Sequence, residues 1–204
     1  MNICVLTSGG FDSTVLLGTA LRAGHTVHPL YVRCGLAWER AELHWLRRSL
    51  REMRSPRLKP LTILNAPIKN LYDNHWSLTG RDVPGYRSRD EKVRLPGRNL
   101  LLLSNAAVFC AQRNLSSVYI GTLKGNPFSD ASSRFFKTME RTAGLALGRR
   151  VSIRAPFRRL TKKQVLKRGK DLPLRFAFSC LSPGGLRPCG RCNKCAERDQ
   201  ALNP

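Results

Sequence analysis

Acidic residues are scarce in this 204-residue chain: 13 Asp and Glu stand against 36 Lys and Arg, for a formal charge of +23. Such a field repels cations and draws anions, which leaves polyphosphate substrates, nucleic acid or an acidic protein as the expected ligand classes. Long apolar runs are missing as well. No stretch approaches the length that spans a bilayer, and the first residues enter a strand pattern with no charged leader, so a cytoplasmic protein without membrane attachment is expected. Aromatics make up 7% of the chain and are not interleaved with basic pairs such as Arg47-Arg48, Arg149-Arg150 and Arg158-Arg159, which removes the signature of a single-strand stacking platform. The four histidines lie early in the chain and form no catalytic pair. There is no internal repeat. A hydrophobic content of 42% suffices for one substantial core and a small appendage.

What is present is an alternation of strand and helix patterns. Strand-like segments at Ile3 to Thr7, Thr26 to Val32, Leu61 to Leu64, Ser117 to Thr122 and Val151 to Ala155 alternate with helical patterns. The helices are expected at Asp12 to Arg22, Ala37 to Met53, Arg98 to Arg113, Ser132 to Ala146 and Thr161 to Arg168. This order specifies an α/β fold, a parallel five-stranded sheet covered by helices on both faces, with its site along the edge where the strand C-termini gather. Lys69 to Arg94 shows no clear period and is expected to be a mobile lid.

The stretch Leu6-Thr7-Ser8-Gly9-Gly10-Phe11-Asp12-Ser13-Thr14 follows the first strand. Two glycines permit a tight turn whose N–H groups approach an anion, Ser8 and Ser13 add hydroxyls, and Asp12 is expected to cap the next helix. The lysine of a Walker A loop is absent, which excludes the ordinary kinase or GTPase cradle. The string resembles the pyrophosphate loop of N-type ATP pyrophosphatases, which split ATP between the α and β phosphates. Near the other end, Cys180, Cys189, Cys192 and Cys195 are spaced C-x8-C-x2-C-x2-C, close enough for one tetrahedral ion. Zinc is the economical reading, with an iron–sulfur cluster or a disulfide pair as alternatives. Arg187, Arg191, Lys194 and Arg198 are expected to offset the thiolate charge. Cys4, Cys34 and Cys110 are expected to be buried thiols.

Three further clusters fall at strand ends. Arg98 and Asn99, in Pro96-Gly97-Arg98-Asn99, are expected to point into the cleft from a helix N-terminus. Gly121 to Phe136 joins a glycine turn, the carboxylate of Asp130 and the rings of Phe128 and Phe135. A nitrogen-rich ring could stack there and donate to Asp130, unless Asp130 only caps the following helix. Lys162, after Pro156-Phe157, could reach a phosphate.

Taken together these segments resemble the 7-cyano-7-deazaguanine synthase family over nearly the whole chain. The matching motifs are S-G-G-F-D-S-T, P-G-R-N, G-N-P-F-S-D-A, A-P-F-R-R-L-T-K and C-G-R-C-N-K-C-A-E-R. The resemblance implies an adenine nucleotide α-hydrolase-like, Rossmann-like fold, with an ATP-pyrophosphatase domain over 1–170 and a zinc-binding segment over 171–204. It implies a homodimeric ligase that turns 7-carboxy-7-deazaguanine and ammonia into the nitrile through adenylated intermediates. Ser8, Gly9, Gly10, Asp12, Ser13 and Thr14 would hold ATP, and Asn126, Phe128 and Asp130 the deazapurine. The four C-terminal cysteines would hold one Zn2+. Asp12, Ser13, Arg98 and Lys162 would act on the phosphates with Mg2+.

Two segments depart from the family pattern. Phe128-Ser129-Asp130-Ala131-Ser132 replaces the usual Tyr-Pro-Asp-Cys-Arg, and Tyr31 to Glu42 replaces a polar, His-containing stretch. Two alternatives follow: a related enzyme of antiviral systems that joins an activated deazapurine acid to a protein amine, and a zinc-stabilised nucleic-acid-binding module without turnover.

Overall fold

Successive side chains of a strand face opposite ways, and both faces of the first strand are apolar. Ile3 and Val5 pack with Val15, Leu16, Leu17, Val27, Phe157 and Val165. Cys4 and Leu6 pack with Leu30, Leu103, Ala106, Phe109, Val118 and Phe136. Only a sheet covered on both sides buries such a strand. Each fully buried Leu or Val there contributes roughly 1.5–3 kcal/mol against the entropy of folding.

The computed structural model describes residues 1–202, so the last two residues of the segment expected over 171–204 lie outside the described residues. The order is β1 (Asn2–Leu6), α1 (Phe11–Arg22), β2 (Thr26–Arg33), α2 (Glu39–Glu52), β3 (Thr62–Asn65), α3 (Lys69–Tyr72), α4 (Trp76–Thr79), α5 (Arg98–Gln112), β4 (Ser117–Tyr119), α6 (Ser133–Leu147), β5 (Ser152–Arg154), α7 (Lys162–Arg168) and α8 (Asn193–Leu202). The strands form one parallel sheet in the order β3-β2-β1-β4-β5, with Asn2 beside Thr26 and Ile3 beside Ser117. Helices α1 and α7 cover one face, and α5 and α6 the other. The chain leaves β1 toward β2, returns to the other side of β1 at β4, and so opens a crevice at their C-terminal ends.

The long elements follow the expected pattern, with ends shifted by a residue or two, except that the fourth strand, expected to reach Thr122, ends at Tyr119. Three local expectations change. Asp12 does not cap α1: the N-cap is Gly10 and no side chain accepts there, because Asp12 has turned to Lys162. Asp130 does not cap α6, whose N-cap is Ser132, bonded to the Phe135 N–H at 3.1 Å. The stretch from Lys69 to Arg94 is not a free lid but α3, α4 and a short 3-10 turn over Asp90–Val93. Its helices are four residues each, too short to print a period. Val93 is buried in the core. The Asn193 N–H donates to the Pro84 carbonyl at 2.9 Å, and its side-chain amide to the Ser88 carbonyl at 2.8 Å, which ties this stretch to α8.

Candidate active site

A cleft of about 320 Å³ opens where β1 and β4 diverge. Its floor is the turn between β1 and α1. Gly9 takes φ +79°, and a Cβ there would sit 3.0 Å from the Cβ of Leu46, so glycine lets the turn press against α2. Ser13 Oγ donates to the Gly10 carbonyl at 3.1 Å and accepts the Ser8 N–H at 3.3 Å. The first N–H groups of α1 have no partner within the helix, and no side chain caps them. Thr7 Oγ1, Thr122 Oγ1 and Arg98 Nε are buried without a partner on residues that line the same cleft. Unpaired buried donors around an open helix N-terminus suit a polyphosphate, which would satisfy them together. Thr14 lies elsewhere: it is fully buried, its hydroxyl lacks a partner, and its N–H is bonded to the Gly10 carbonyl.

Lys162 enters from the first turn of α7, where Thr161 and Gln164 form a reciprocal cap. Its ammonium lies 2.8 Å from both oxygens of Asp12 and 2.8 Å from Glu197 on α8. Burial works against the ammonium, but Asp12 and Glu197 hold its pKa above the ordinary value. Burial also opposes ionisation of Glu197, yet Lys194 and Lys162 hold its carboxyl down to about 2. Lys194 and Arg198 were expected beside the thiolates. They also line the cleft, and Lys194 pairs with Glu197.

On the opposite wall Asn99 and Asp130 are locked together. The Asn99 N–H donates to Asp130 Oδ2 at 2.9 Å, and its side-chain amide to the Asp130 carbonyl at 3.1 Å. Asp130 therefore caps α5 across 31 residues of sequence. It still borders the cleft with Asn126 and Phe128. Asn126 accepts the Phe128 N–H at 3.0 Å and holds that turn closed.

Two carboxylates that the sequence reading left aside face the cleft from α2. Glu39 accepts the Cys34 and Gly35 N–H groups and pairs with Arg33 at 3.6 Å. Glu42 accepts the Tyr31 hydroxyl at 2.7 Å and has no ion-pair partner among the described residues. Burial pushes its carboxyl up to about 7, against the pull of Arg98 and the Tyr31 hydroxyl. A signal was available: Trp38, Glu42 and Leu46 recur every four residues, so a carboxylate sits on the apolar stripe of a helix. Glu197 was legible only as part of the C-A-E-R string.

The four C-terminal cysteines converge, with all sulfurs within 4.8 Å of one another. Three pairs lie at 3.5, 3.9 and 4.0 Å. A tetrahedral ion at about 2.3 Å from each sulfur separates them by roughly 3.8 Å, whereas a disulfide needs about 2.05 Å. The set can hold a metal ion. The Cys180 thiol, with the Leu181 and Cys195 N–H groups, holds the Cys192 thiol below its ordinary value. This knot is fastened to the cleft twice: Trp45 Nε1 of α2 donates to the Leu186 carbonyl at 2.7 Å, and the Phe178 N–H donates to the Gly9 carbonyl at 2.9 Å. Cys4, Cys34 and Cys110 are buried, as expected.

Sheet order, uncapped loop and crevice define the class: an ATP pyrophosphatase-like α/β protein. Solved structures of this fold include a 4-thiouridine synthetase in complex with RNA and ATP, with TM-score 0.56 and 15% identity over 99% of this chain and 50% of that one. Another is a predicted subunit of tRNA methyltransferase from Methanocaldococcus jannaschii, with TM-score 0.54 and 14% identity over 82% of this chain and 73% of that one. At these identities the likeness concerns the fold alone. The family model for queuosine biosynthesis protein QueC matches residues 2–204, and the chain belongs to that family of ATP-dependent enzymes. It is 31% identical to 7-cyano-7-deazaguanine synthase 1 of Desulfitobacterium hafniense, over 98% of this chain and 90% of that protein. It is 30% identical to the 7-cyano-7-deazaguanine synthase of a Marinomonas species, over 97% and 91%.

Proposed function

We propose that this enzyme converts 7-carboxy-7-deazaguanine and ammonia into 7-cyano-7-deazaguanine, activating oxygen with ATP twice and releasing AMP and pyrophosphate each time. The observation that carries this reading is the pyrophosphatase-type loop at the crevice of a chain that matches the family from end to end. A carboxylate oxygen attacks the α phosphorus and pyrophosphate leaves. Ammonia then displaces AMP to give the amide. The amide oxygen is adenylated in turn, and loss of AMP leaves the nitrile. Ser8, Gly9, Gly10 and Ser13 cradle the phosphates, while Arg98 and Lys162 face the developing charge. Asp12 positions Lys162. Mg2+, when bound with ATP, would supply further neutralisation of the phosphates, with Asp12 as the nearby carboxylate. Asn126, Phe128 and Asp130 form the deazapurine wall.

Zn2+ is the metal best suited to Cys180, Cys189, Cys192 and Cys195, because a multi-iron cluster gives the thiolates different irons and needs wider spacing. With four protein ligands the ion has a structural role. We assign residues 1–170 to the catalytic α/β unit and 171–204 to the zinc segment, in a cytoplasmic homodimer.

The test is product analysis by mass spectrometry with 7-carboxy-7-deazaguanine, ATP and ammonium. AMP, pyrophosphate and the nitrile are expected; ADP as the main nucleotide product would refute the loop assignment. The replaced substrate segment at Phe128 to Ser132 favours one second reading, transfer of the activated acid to a protein amine. It predicts turnover that depends on an added protein acceptor instead of ammonium.

A further inference from the structure

The chemistry just proposed removes every proton from the incoming nitrogen, one at each stage from ammonia to amide, amide to adenylated imidate, and imidate to nitrile. Ammonia also arrives mostly as ammonium at neutral pH. An acceptor is needed, and no histidine lines the cleft among the described residues. Lys162 and Lys194 are engaged as ammonium groups in ion pairs.

Five carboxylates border the cleft: Asp12, Glu39, Glu42, Asp130 and Glu197. Burial pushes the Asp12 carboxyl up, yet both its oxygens already hold Lys162. Glu197 is held by two lysines. Asp130 is held by the N-terminus of α5. Glu39 is held by two backbone N–H groups and Arg33. Glu42 alone has no cation within ion-pair distance among the described residues, and the Tyr31 phenol fixes its carboxyl at 2.7 Å.

We propose that the carboxylate of Glu42, held by Tyr31, is the proton acceptor for the nitrogen nucleophile. The inference rests on the synthase reading and deepens it. In the first nitrogen step the ammonium gives one proton to Glu42 and the freed lone pair forms the C–N bond. The C–O bond breaks with its electron pair leaving on AMP, and the second proton, shed as the C–NH3+ adduct becomes the amide, leaves on the departing AMP phosphate or water. The groups facing Glu42 are Arg98 from α5, Tyr31 from β2, and Trp38 and Glu39 at the start of its own helix. Burial outweighs the lowering by Arg98 and Tyr31 and sets the carboxyl near 7, where a base both accepts and returns protons efficiently.

Two nucleophiles separate the roles. Hydroxylamine is largely unprotonated at neutral pH and traps an acyl adenylate as the hydroxamate without prior deprotonation. Glu42→Gln is expected to keep hydroxamate formation within about threefold of wild type and to lose at least about a hundredfold in amide formation from ammonium. The wild-type rate per total ammonium should level off above about 7, the value set for Glu42. The Glu42→Gln rate should keep climbing, about tenfold per pH unit, since only free ammonia remains usable. Tyr31→Phe, a gentler change, should move the levelling point to higher pH. Equal loss of hydroxamate and amide in Glu42→Gln overturns the inference, as does an unchanged ammonium profile. Absence of hydroxamate from the wild-type protein overturns the synthase reading itself, and the inference with it.

Discussion

At the residue scale Asp130 both holds the start of α5 and borders the cleft. Its Oδ2 accepts the Asn99 N–H at 2.9 Å, where the positive end of α5 makes an acceptor most useful. Asp130→Ala is expected to lower stability by about 1 kcal/mol, the usual cost of losing a helix cap, measurable by thermal unfolding. Asp130→Asn keeps an acceptor oxygen, so it should cost less stability while weakening deazapurine binding and leaving ATP affinity intact. Equal loss of both affinities, measured by titration calorimetry, would point to a fold defect. At Asp12 the ion pair with Lys162 positions the ammonium. Asp12→Ala should reduce AMP formation at least about tenfold, on the order of 1.4 kcal/mol of transition-state stabilisation, with metal content unchanged. Glu42 carries the opposite balance. Its carboxyl is raised from an ordinary 4.5 to about 7, so the folded state holds the proton more tightly than the unfolded chain, and stability falls as pH rises through that window. Glu42→Gln should therefore match wild type near pH 4.5 and melt at a higher temperature above pH 7. A variant that melts lower at high pH would show the carboxylate to be structurally required. Sequence alone made Asp12 and Lys162 visible as separate candidates. Their pairing was not legible, because 150 residues separate them and only the sheet order brings α1 and α7 together.

Elements were the most readable level, since strand and helix periods survive in any local window while partners across the fold do not. The parallel sheet, its five strands and five of the six helices longer than one turn were legible because the strands are short apolar runs bounded by turn residues and the helices repeat apolar residues at 3.6. What hid were α3 and α4, each a single turn, and α8, whose polar sequence is organised by the cysteine knot and not by a buried stripe. That helix gives the metal segment a consequence for catalysis. α8 starts within the knot, one residue after Cys192, and brings Glu197 to 2.8 Å from Lys162. Removing the ion should loosen the lysine along with the knot. Cys192→Ser is expected to strip the metal and promote unfolding or aggregation. Partial chelation of the wild-type protein should raise the KM for ATP before secondary structure is lost. Elemental analysis, ATP kinetics and circular dichroism along one chelator series check the order. Loss of helix signal at lower chelator than the KM change would sink it, and a visible charge-transfer band would replace zinc with an iron–sulfur cluster.

At the scale of the whole molecule the charge of +23 has two separate locations. One part is consumed at the cleft, where Arg98, Lys162, Lys194 and Arg198 line the walls around the turn between β1 and α1 and are balanced by Asp12 and Glu197. The rest is spread outward, as on α2, whose apolar face packs Leu43 and Leu46 inward while Arg47, Arg48 and Arg51 are exposed. Excess charge on a helix face far from aromatic partners gives attraction without readout, because base recognition needs edges or stacking. Arg48 does lie over Trp45 and Phe176, 5.6 and 5.2 Å from their centroids, but Trp45 Nε1 is tied to Leu186 and the ring is held within the protein. RNA binding is therefore expected to be strong at low ionic strength, to fall steeply with salt as counterions are released, and to show no sequence preference near physiological ionic strength. Competition titrations with scrambled RNAs check this directly. A hundredfold preference for one RNA or DNA at that ionic strength would reverse the conclusion and make the outer charge a recognition surface. Selective capture of one acidic protein that acquires the mass of a deazapurine acid would instead assign that charge to docking of an amine acceptor.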